Sequence, residues 1–217
     1  MSERKTQQID VWTGAFGRDY TERNRFEDDE AFNKLYVERY GRTRDDINND
    51  WLKDVPRDAR ILEVGANIGN QLRALHRLGF RHLFGVEIQR ACVEEAKQRV
   101  PQADVVEGSA FDIPFKDGFF DLVFTNNVLI HIAPGDIGAV MDEMHRVSRR
   151  WIWGFEYYAP EFTEIPYRGK TDLLWKADYG RLFLERFKDL RPLRESLIDC
   201  LDEPGKQDKL YLLERQG

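Results

Sequence analysis

A glycine-rich turn is the part of this sequence best suited to binding a ligand. The segment EVGANIG (63–69) follows an apolar run and has the spacing E-x-G-x-N-x-G. It differs from the G-x-G-x-x-G of dinucleotide sites, because Asn67 and Asn70 stand where that pattern has its second and third glycines. Asn tolerates left-handed backbone angles better than most residues, so we expect Asn67 to replace a glycine there. No Walker Lys-Ser/Thr pair follows, which argues against triphosphate binding.

Two carboxylates near this turn indicate the charge of its ligand. Glu63 lies two residues before the first glycine, where it would repel a pyrophosphate. It suits a ligand with a positive end, such as the α-amino group and sulfonium of S-adenosylmethionine. Glu87 ends the next predicted strand, where a carboxylate can accept hydrogen bonds from both hydroxyls of a ribose. The alternative is that the glycines only form a tight turn and that Glu87 is solvated.

A third segment, GSAFDIPF (108–115), fits the same ligand. It follows another predicted strand, and parallel strands present their carboxyl ends at one edge of a sheet. Backbone groups near Ala110 can hold an adenine there, and a side chain at position 109 or 112 can reach its exocyclic amine. The three segments together therefore predict an adenosine-containing ligand with a positively charged end.

The elements that position these segments alternate between strands and helices. Strand patterns occur at 59–65, 82–88, 103–108, 119–126 and 150–158, with helical patterns between them. This alternation predicts an α/β fold with a Rossmann-like, doubly wound, mostly parallel sheet. The segments 191–200 and 208–216 flank a turn at 202–206 and predict an antiparallel hairpin at the end of the chain.

The first 55 residues differ from the rest, because they are polar, rich in aromatic residues and without a strand pattern. The segment 28–40 places Phe32, Leu35 and Tyr36 on one helical face, and Thr43 is positioned to cap a second helix. We interpret 1–55 as a helical cap over the ligand site and 56–217 as the ligand-binding domain, in one globular unit. Packing against the sheet without ligand contact is the alternative for the cap.

Composition excludes several classes of protein. The chain has 217 residues, a formal net charge of −6 and two cysteines, Cys92 and Cys200. This length fits one domain, and two cysteines are too few for a disulfide scaffold. The acidic balance argues against a nucleic-acid partner. No apolar run is long enough for a membrane span and the polar start lacks a secretory signal, so we expect a cytoplasmic protein with no membrane partner.

The motifs resemble those of the class I S-adenosylmethionine-dependent methyltransferases. The resemblance covers residues 58–160 and rests on ILEVGANIG, GVEI, GSAFDIPF and FDLVFTNNVLIHI. It implies a seven-stranded sheet with an antiparallel hairpin strand, and S-adenosyl-L-methionine as cofactor. Ser109 departs from the pattern, since many relatives carry Asp there. The predicted cofactor-binding residues are Trp12, Tyr20, Arg23, Asn24, Glu63, Gly65, Asn67, Gly69, Glu87, Ile88, Ser109, Ala110 and Asn126.

The two ends of the chain are similar to a narrower group, the methylases associated with pseudaminic acid biosynthesis. The shared segments are VWTGAFG (11–17), YTERN (20–24), EYY (156–158) and EIPYRGK (164–170). This similarity implies that the methyl acceptor is a small polar metabolite such as a sugar acid.

Methyl transfer from a sulfonium is an in-line displacement, so the protein must mainly orient the acceptor and exclude water. A base is needed only for a protonated amine or a hydroxyl. The catalytic candidates His131, Glu156 and Tyr157 lie at the ends of the fourth and fifth strands, although His131 within the apolar VLIHI also fits a structural role. We expect no metal.

The loop 159–180 is the predicted substrate loop, since segments at this edge of the sheet commonly select substrates. Its candidates for acceptor binding, with the residue before it, are Tyr158, Tyr167, Arg168 and Lys170. Arg168 can bind a carboxylate or phosphate in a bidentate manner. The alternatives are a solvated loop, or a pairing of Arg168 with Glu164 or Asp172 that folds the loop.

Three functions stay open at this point. The first is methyl transfer to a small, anionic metabolite, and the second is methyl transfer to a protein or an RNA. The third is a non-catalytic partner protein that binds the cofactor, because methyl transfer has no obligatory nucleophile whose absence would show. The acidic balance argues against the second function. The sequence determines neither the acceptor atom nor the oligomeric state.

Overall fold

A seven-stranded sheet forms the centre of the computed structural model, which describes residues 6–216. Its strands are β1 (Arg60–Val64), β2 (His82–Glu87), β3 (Ala103–Glu107), β4 (Phe120–Asn126), β5 (Ser148–Tyr157), β8 (Leu190–Asp199) and β9 (Gln207–Arg215). A separate two-stranded ribbon consists of β6 (Thr163–Glu164) and β7 (Trp175–Lys176). The order is β3-β2-β1-β4-β5-β9-β8. The strands β1 to β5 are parallel, and β9 runs antiparallel to both β5 and β8. The predicted fold class is confirmed.

Eight α-helices surround the sheet in the described part of the chain. They are α1 (Gln7–Thr13), α2 (Ala15–Arg23), α3 (Asp29–Tyr40), α4 (Arg44–Trp51), α5 (Asn70–Arg77), α6 (Arg90–Arg99), α7 (Ile137–Val147) and α8 (Tyr179–Arg186). The Thr43 side chain accepts a hydrogen bond from the Asp46 N–H, so this predicted helix cap is present. Within residues 6–216, no helix is long and apolar enough to cross a membrane.

Two hydrophobic cores lie on the two faces of the sheet. On one face, α3 and α4 contribute Phe32, Tyr36 and Trp51 to the core that contains Trp153 and Phe155 of β5. On the other face, α7 and α8 pack against β4, β5 and β9. The helices α3 and α4 therefore share a hydrophobic core with the sheet. Residues 1–5 and 217 of the predicted ranges lie outside the described residues.

The turn after β1 contains three left-handed positions, Gly65, Asn67 and Gly69. Gly65 has φ +77°, and a Cβ built on it would lie 2.6 Å from a methyl carbon of Val128. Asn67 has φ +47°, so its predicted role as a stand-in for glycine is confirmed. The turn therefore brings its backbone N–H groups close to the edge of the sheet. Val128, in the segment after β4, packs against Gly65 of this turn.

Candidate active site

A cavity of about 500 Å³ lies at the carboxyl ends of the parallel strands. Its floor runs from the segment after β3 across the ends of β2, β1 and β4 to β5, and α1, α2 and α3 cover it. Four strand spacings of roughly 4.8 Å make this span about 19 Å. We call its two parts the β1–β3 half and the β4–β5 half, after the strands beneath them.

The cavity brings together most of the predicted site residues. It is lined by Trp12, Tyr20, Arg23, Asn24, Glu63, Gly65, Asn67, Glu87, Ile88, Ser109, Ala110, Asn126, His131, Tyr157, Tyr167 and Arg168. Four predicted residues are not among its lining: Gly69, Glu156, Tyr158 and Lys170. Gly69 instead allows close packing, because its Cβ would lie 2.7 Å from Val100.

Glu87 lies at the end of β2 and fixes the glycine-rich turn. It is 6% exposed, and its two carboxylate oxygens accept hydrogen bonds from the backbone N–H groups of Asn67 and Gln89, both at 2.9 Å. Burial raises the pKa of Glu87, and these N–H groups oppose that rise. Each oxygen keeps a further lone pair with which to accept a hydrogen bond from a ligand.

Glu63 is a second buried carboxylate at the floor, and one of its oxygens is unpartnered. The residue is 4% exposed, and Oε2 has no hydrogen-bond partner among the described residues. Burial raises the pKa of Glu63 well above its usual range, while the buried Arg44 guanidinium opposes this rise. A buried carboxylate oxygen without a donor is costly. A cationic or hydrogen-bond-donating group in the cavity would remove that cost.

The covering helices are tied to the glycine-rich turn by hydrogen bonds. The Asn67 side chain donates to Thr21 Oγ1 (3.1 Å), and the Asn70 side chain donates to the carbonyl of Asn24 (3.0 Å). The rings of Trp12 and Tyr20 meet edge to face, with centroids 5.1 Å apart. The roof of the β1–β3 half is therefore built from α1 and α2.

Asparagine side chains mark the floor of the β4–β5 half. Asn126, the last residue of β4, donates to the Tyr36 hydroxyl of α3 (3.2 Å). The side-chain oxygens of Asn126 and Asn127 are buried without a hydrogen-bond partner among residues 6–216. Asn127 has φ +56° and begins the segment 127–132, which contains a short 3₁₀ helix (Leu129–His131). Both asparagines line the cavity, so these oxygens are candidates for hydrogen bonds with a ligand.

His131 is held in a defined tautomer in this half. Its Nδ1 lies 2.8 Å from the carbonyl oxygen of Leu173. Because a carbonyl can only accept, Nδ1 carries the proton and Nε2 keeps a lone pair. Burial lowers the pKa of His131 to about 4, so the ring is neutral at pH 7. Trp12 packs against it with ring centroids 4.5 Å apart.

The predicted substrate loop reaches the cavity through Tyr167 and Arg168. Arg168 has φ +51° and forms no ion pair with another described residue. The alternative pairing with Glu164 or Asp172 is not observed, since Glu164 accepts the Asp172 backbone N–H instead (2.8 Å). Lys170 lies outside the lining, with its ammonium 5.3 Å from the Phe16 ring centroid. The β4–β5 half is therefore lined by a guanidinium that has no carboxylate partner among residues 6–216.

The remaining candidates lie at the carboxyl end of β5, and only Tyr157 among them lines the cavity. Glu156 is 1% exposed and accepts hydrogen bonds from the backbone N–H groups of Val128 and Ile130, so it contacts the segment 127–132 instead of the cavity. Tyr157 does line the cavity, with the Lys206 ammonium 3.8 Å from its ring centroid. Tyr158 lies beside Lys209, away from the lining.

Sequence reasoning missed a wall of the cavity formed by α1, α3 and the hairpin turn. Its lining residues include Gln8, Ile9, Tyr36, Arg39, Tyr40 and Glu203. The helical periodicity of 28–40 indicated which face of α3 is buried, but the same pattern describes a face that packs in a core and one that borders a cavity. In the described part of the chain, no cluster of His, Cys, Asp and Glu side chains fits a metal ion.

Residues 62–150 match the family model of a methyltransferase domain. This part of the chain is therefore similar to a methyltransferase domain. It is 38% identical over 67 residues to an uncharacterized methyltransferase of Synechocystis sp., an alignment that covers 31% of this chain and 32% of the relative. It is 31% identical over 130 residues to the demethylmenaquinone methyltransferase of Lysinibacillus sphaericus, covering 57% of this chain and 52% of the relative. The chain thus spans about a third to a half of the length of these two relatives.

The likeness in fold extends beyond residues 62–150. The crystal structure of magnesium protoporphyrin IX methyltransferase from Synechocystis PCC 6803 with bound S-adenosylmethionine superposes with a TM-score of 0.71. The superposition covers 99% of this chain and all of that chain, at 14% sequence identity. The two proteins therefore share a fold from the N-terminal helices to the C-terminal hairpin.

Proposed function

We propose that this protein transfers a methyl group from S-adenosylmethionine to a small, polar, anionic acceptor. One observation carries the proposal: a single cavity joins the glycine-rich turn, which lies in the segment similar to a methyltransferase domain, to a second half whose guanidinium has no ion pair within the described part of the chain. The first half suits the cofactor and the second half suits an acceptor. At about 19 Å from end to end, the cavity has room for both along the strand edge.

The residues of the β1–β3 half fit S-adenosylmethionine. The spare lone pairs of Glu87 suit the two ribose hydroxyls, and the unpartnered Glu63 oxygen suits the positively charged methionine end. Ser109 and Ala110 border the place for the adenine, and Ser109 Oγ already accepts the Phe111 N–H (3.2 Å), leaving its O–H free to donate. When bound, this cofactor supplies an electrophilic methyl group and a neutral thioether leaving group.

The residues of the β4–β5 half would orient the acceptor. Arg168 can pair with a carboxylate or phosphate in a bidentate manner, and Tyr167 provides a flat wall beside it. His131 presents the lone pair of Nε2, which can accept a hydrogen bond from the attacking hydroxyl or amine. The helices α1, α2 and α3 line both halves and would limit the access of water to bound ligands. A sugar acid or a similar metabolite has the charge and the size that these groups favour.

Transfer of a tritium-labelled methyl group tests the proposal. The full chain is incubated with labelled S-adenosylmethionine and a bacterial extract separated into metabolite, protein and RNA fractions. We expect label in the anionic part of the metabolite fraction, and mass spectrometry should find a compound heavier by one methylene. Label in protein or RNA alone would contradict the acceptor class. Binding of the cofactor without label in any fraction would indicate a non-catalytic binding protein.

A further inference from the structure

A buried carboxylate fixes the segment 127–132 from beneath. Glu156 Oε1 accepts the Val128 N–H at 3.3 Å, and Glu156 Oε2 accepts the Ile130 N–H at 3.4 Å. Both oxygens act as acceptors, and an ionised carboxylate is the stronger acceptor for two N–H groups. In a protonated carboxyl, the hydroxyl oxygen is a weaker acceptor than a carboxylate oxygen. The ionised form of Glu156 therefore holds the segment more firmly than the protonated form.

The segment that Glu156 holds borders both halves of the cavity. The Val128 side chain lies against Gly65, where an added Cβ would approach within 2.6 Å. Ile130 and His131, in the same segment, line the cavity. Displacement of the backbone at 128–130 would therefore move His131 and also loosen the glycine-rich turn.

Several polar and charged groups face Glu156, but none is a free cation. Thr125 of β4, Tyr211 of β9 and Tyr179 of α8 lie around it. Burial and, as a smaller effect, the nearby Glu156 carboxylate raise the pKa of both tyrosines. Lys209 is opposite Glu156 in the β5–β9 register, and its ammonium is bound by Asp178 and Glu195. Burial raises the pKa of Glu156 to about 7.

We propose that Glu156 is a positioning residue whose ionised carboxylate holds the segment 127–132 in the geometry required for the acceptor. This inference rests on the proposed function, because it gives that segment a role in methyl transfer. A glutamine of the same size would avoid the cost of ionising a buried group. Glutamate at this position therefore lowers the stability of the folded protein but provides the charged acceptor that holds the segment in place.

The pH dependence of stability follows from the direction of the pKa shift. The folded protein keeps the Glu156 proton up to about pH 7, whereas the unfolded chain loses it near the usual glutamate value of about 4.3. The folded state therefore binds more protons between these values, and the contribution of Glu156 to stability falls as pH rises through this range. The Glu156→Gln variant lacks this fall. Its melting temperature should rise relative to wild type between pH 5 and pH 8.

Amide hydrogen exchange tests the positioning role directly. The peptide that covers residues 127–132 is followed in the wild-type chain and in Glu156→Gln between pH 6 and pH 8, after correction for intrinsic exchange. We expect protection in the wild type to increase roughly tenfold as Glu156 ionises, the size expected for a hydrogen bond to a charged group. Protection in Glu156→Gln should stay low and independent of pH. Equal protection of the two proteins at pH 8 would overturn the proposal.

Glu214→Gln is the matched control, since Glu214 lies on β9 at the other end of the sheet. Arg191 and Arg150 lower the pKa of Glu214, so its glutamine variant should lose stability relative to wild type at pH 8 and leave segment 127–132 unchanged.

If Glu156→Gln does not fold, the hydrogen-exchange series of the wild-type chain alone decides, and protection that does not change with pH overturns the proposal. Exchange needs no methyl acceptor, so this outcome is independent of the proposed function. With an identified acceptor, the wild-type KM for that acceptor should rise below pH 7, whereas KM in Glu156→Gln should be high throughout.

Discussion

Three buried glutamates near the carboxyl ends of β1, β2 and β5 have different roles because their partners differ. Glu87 holds the glycine-rich turn with two N–H groups and keeps lone pairs for a ligand. Glu63 has an oxygen for which the described residues provide no donor, and both oxygens of Glu156 accept hydrogen bonds from the segment after β4. Their sequence positions are equivalent, so a strand-end pattern predicts a site but does not distinguish a binding group from a positioning group. Glu156 was predicted as catalytic for this reason, and the structure places it behind the cavity.

Replacement of His131 by asparagine separates the structural and the catalytic role of the imidazole. The asparagine amide can still donate to the Leu173 carbonyl, as Nδ1 does, but it has no counterpart of Nε2. We expect nearly unchanged stability and a turnover that is lower by roughly 10²–10⁴, the range for loss of a general base. Because the pKa of His131 is about 4, the shape of the rate profile between pH 6 and pH 8 should not change. Steady-state turnover at saturating cofactor measures this, and near-normal turnover would show that His131 is structural.

Replacement of Arg168 by lysine tests how the acceptor is recognised. Lysine keeps the positive charge but loses the planar pair of donors, so a bidentate contact to an anion is lost. We expect KM for the acceptor to rise about tenfold, while the affinity for S-adenosylmethionine stays within twofold of wild type. Kinetics with the acceptor and calorimetry with the cofactor measure the two quantities.

An acceptor analogue with its anion esterified provides the control for Arg168. If Arg168 contacts the anion, wild type and Arg168→Lys should be equally poor with this neutral analogue. A defect of the variant that persists undiminished on the analogue would mean that Arg168 holds the loop and does not contact the acceptor.

At the scale of elements, the roof over the β1–β3 half depends on a close contact between α1 and α2. Gly17 of α2 lies directly under the Trp12 carbonyl, so that a Cβ at position 17 would overlap this oxygen. Trp12 in turn packs against Tyr20 and His131. The polar sequence of 7–23 contains an aromatic pattern typical of a cap, but the close approach at Gly17 is a tertiary contact that no local pattern reveals.

Substitution of Gly17 by alanine should therefore open the roof. We expect a loss of about 1–3 kcal/mol in the free energy of unfolding, as for other overpacked sites, and weaker binding of S-adenosylmethionine. Gly135→Ala is the matched control, because nothing lies within 4 Å of its added Cβ. It should change stability by less than about 0.5 kcal/mol. Denaturation and calorimetry of the two variants provide the comparison, and equal behaviour of both would contradict the role of Gly17.

At the scale of the whole molecule, the features that depend on local residue patterns, such as strands and turns, could be predicted from the sequence. The apolar runs predicted the parallel strands of the sheet, and the left-handed conformation expected of Asn67 in the turn is present. The ribbon of β6 and β7 has strands of two residues, which are too short to leave a periodic pattern. The contributions of Arg39 and Glu203 to the cavity depend on the packing of α3 beside the hairpin, a relation between distant segments that periodicity does not encode.

Binding of S-adenosylmethionine in the β1–β3 half is the claim on which the proposed chemistry depends, and titration calorimetry tests it most directly. The wild-type chain should bind one S-adenosylmethionine per molecule and should not bind NAD. Glu87→Ala should weaken that binding roughly 10- to 100-fold, because a hydrogen bond to a charged group contributes about 1.5–3 kcal/mol. Glu107→Ala, at the exposed end of the neighbouring β3, should leave the affinity unchanged. Equal affinities of wild type and a folded Glu87→Ala would contradict the assignment of the site.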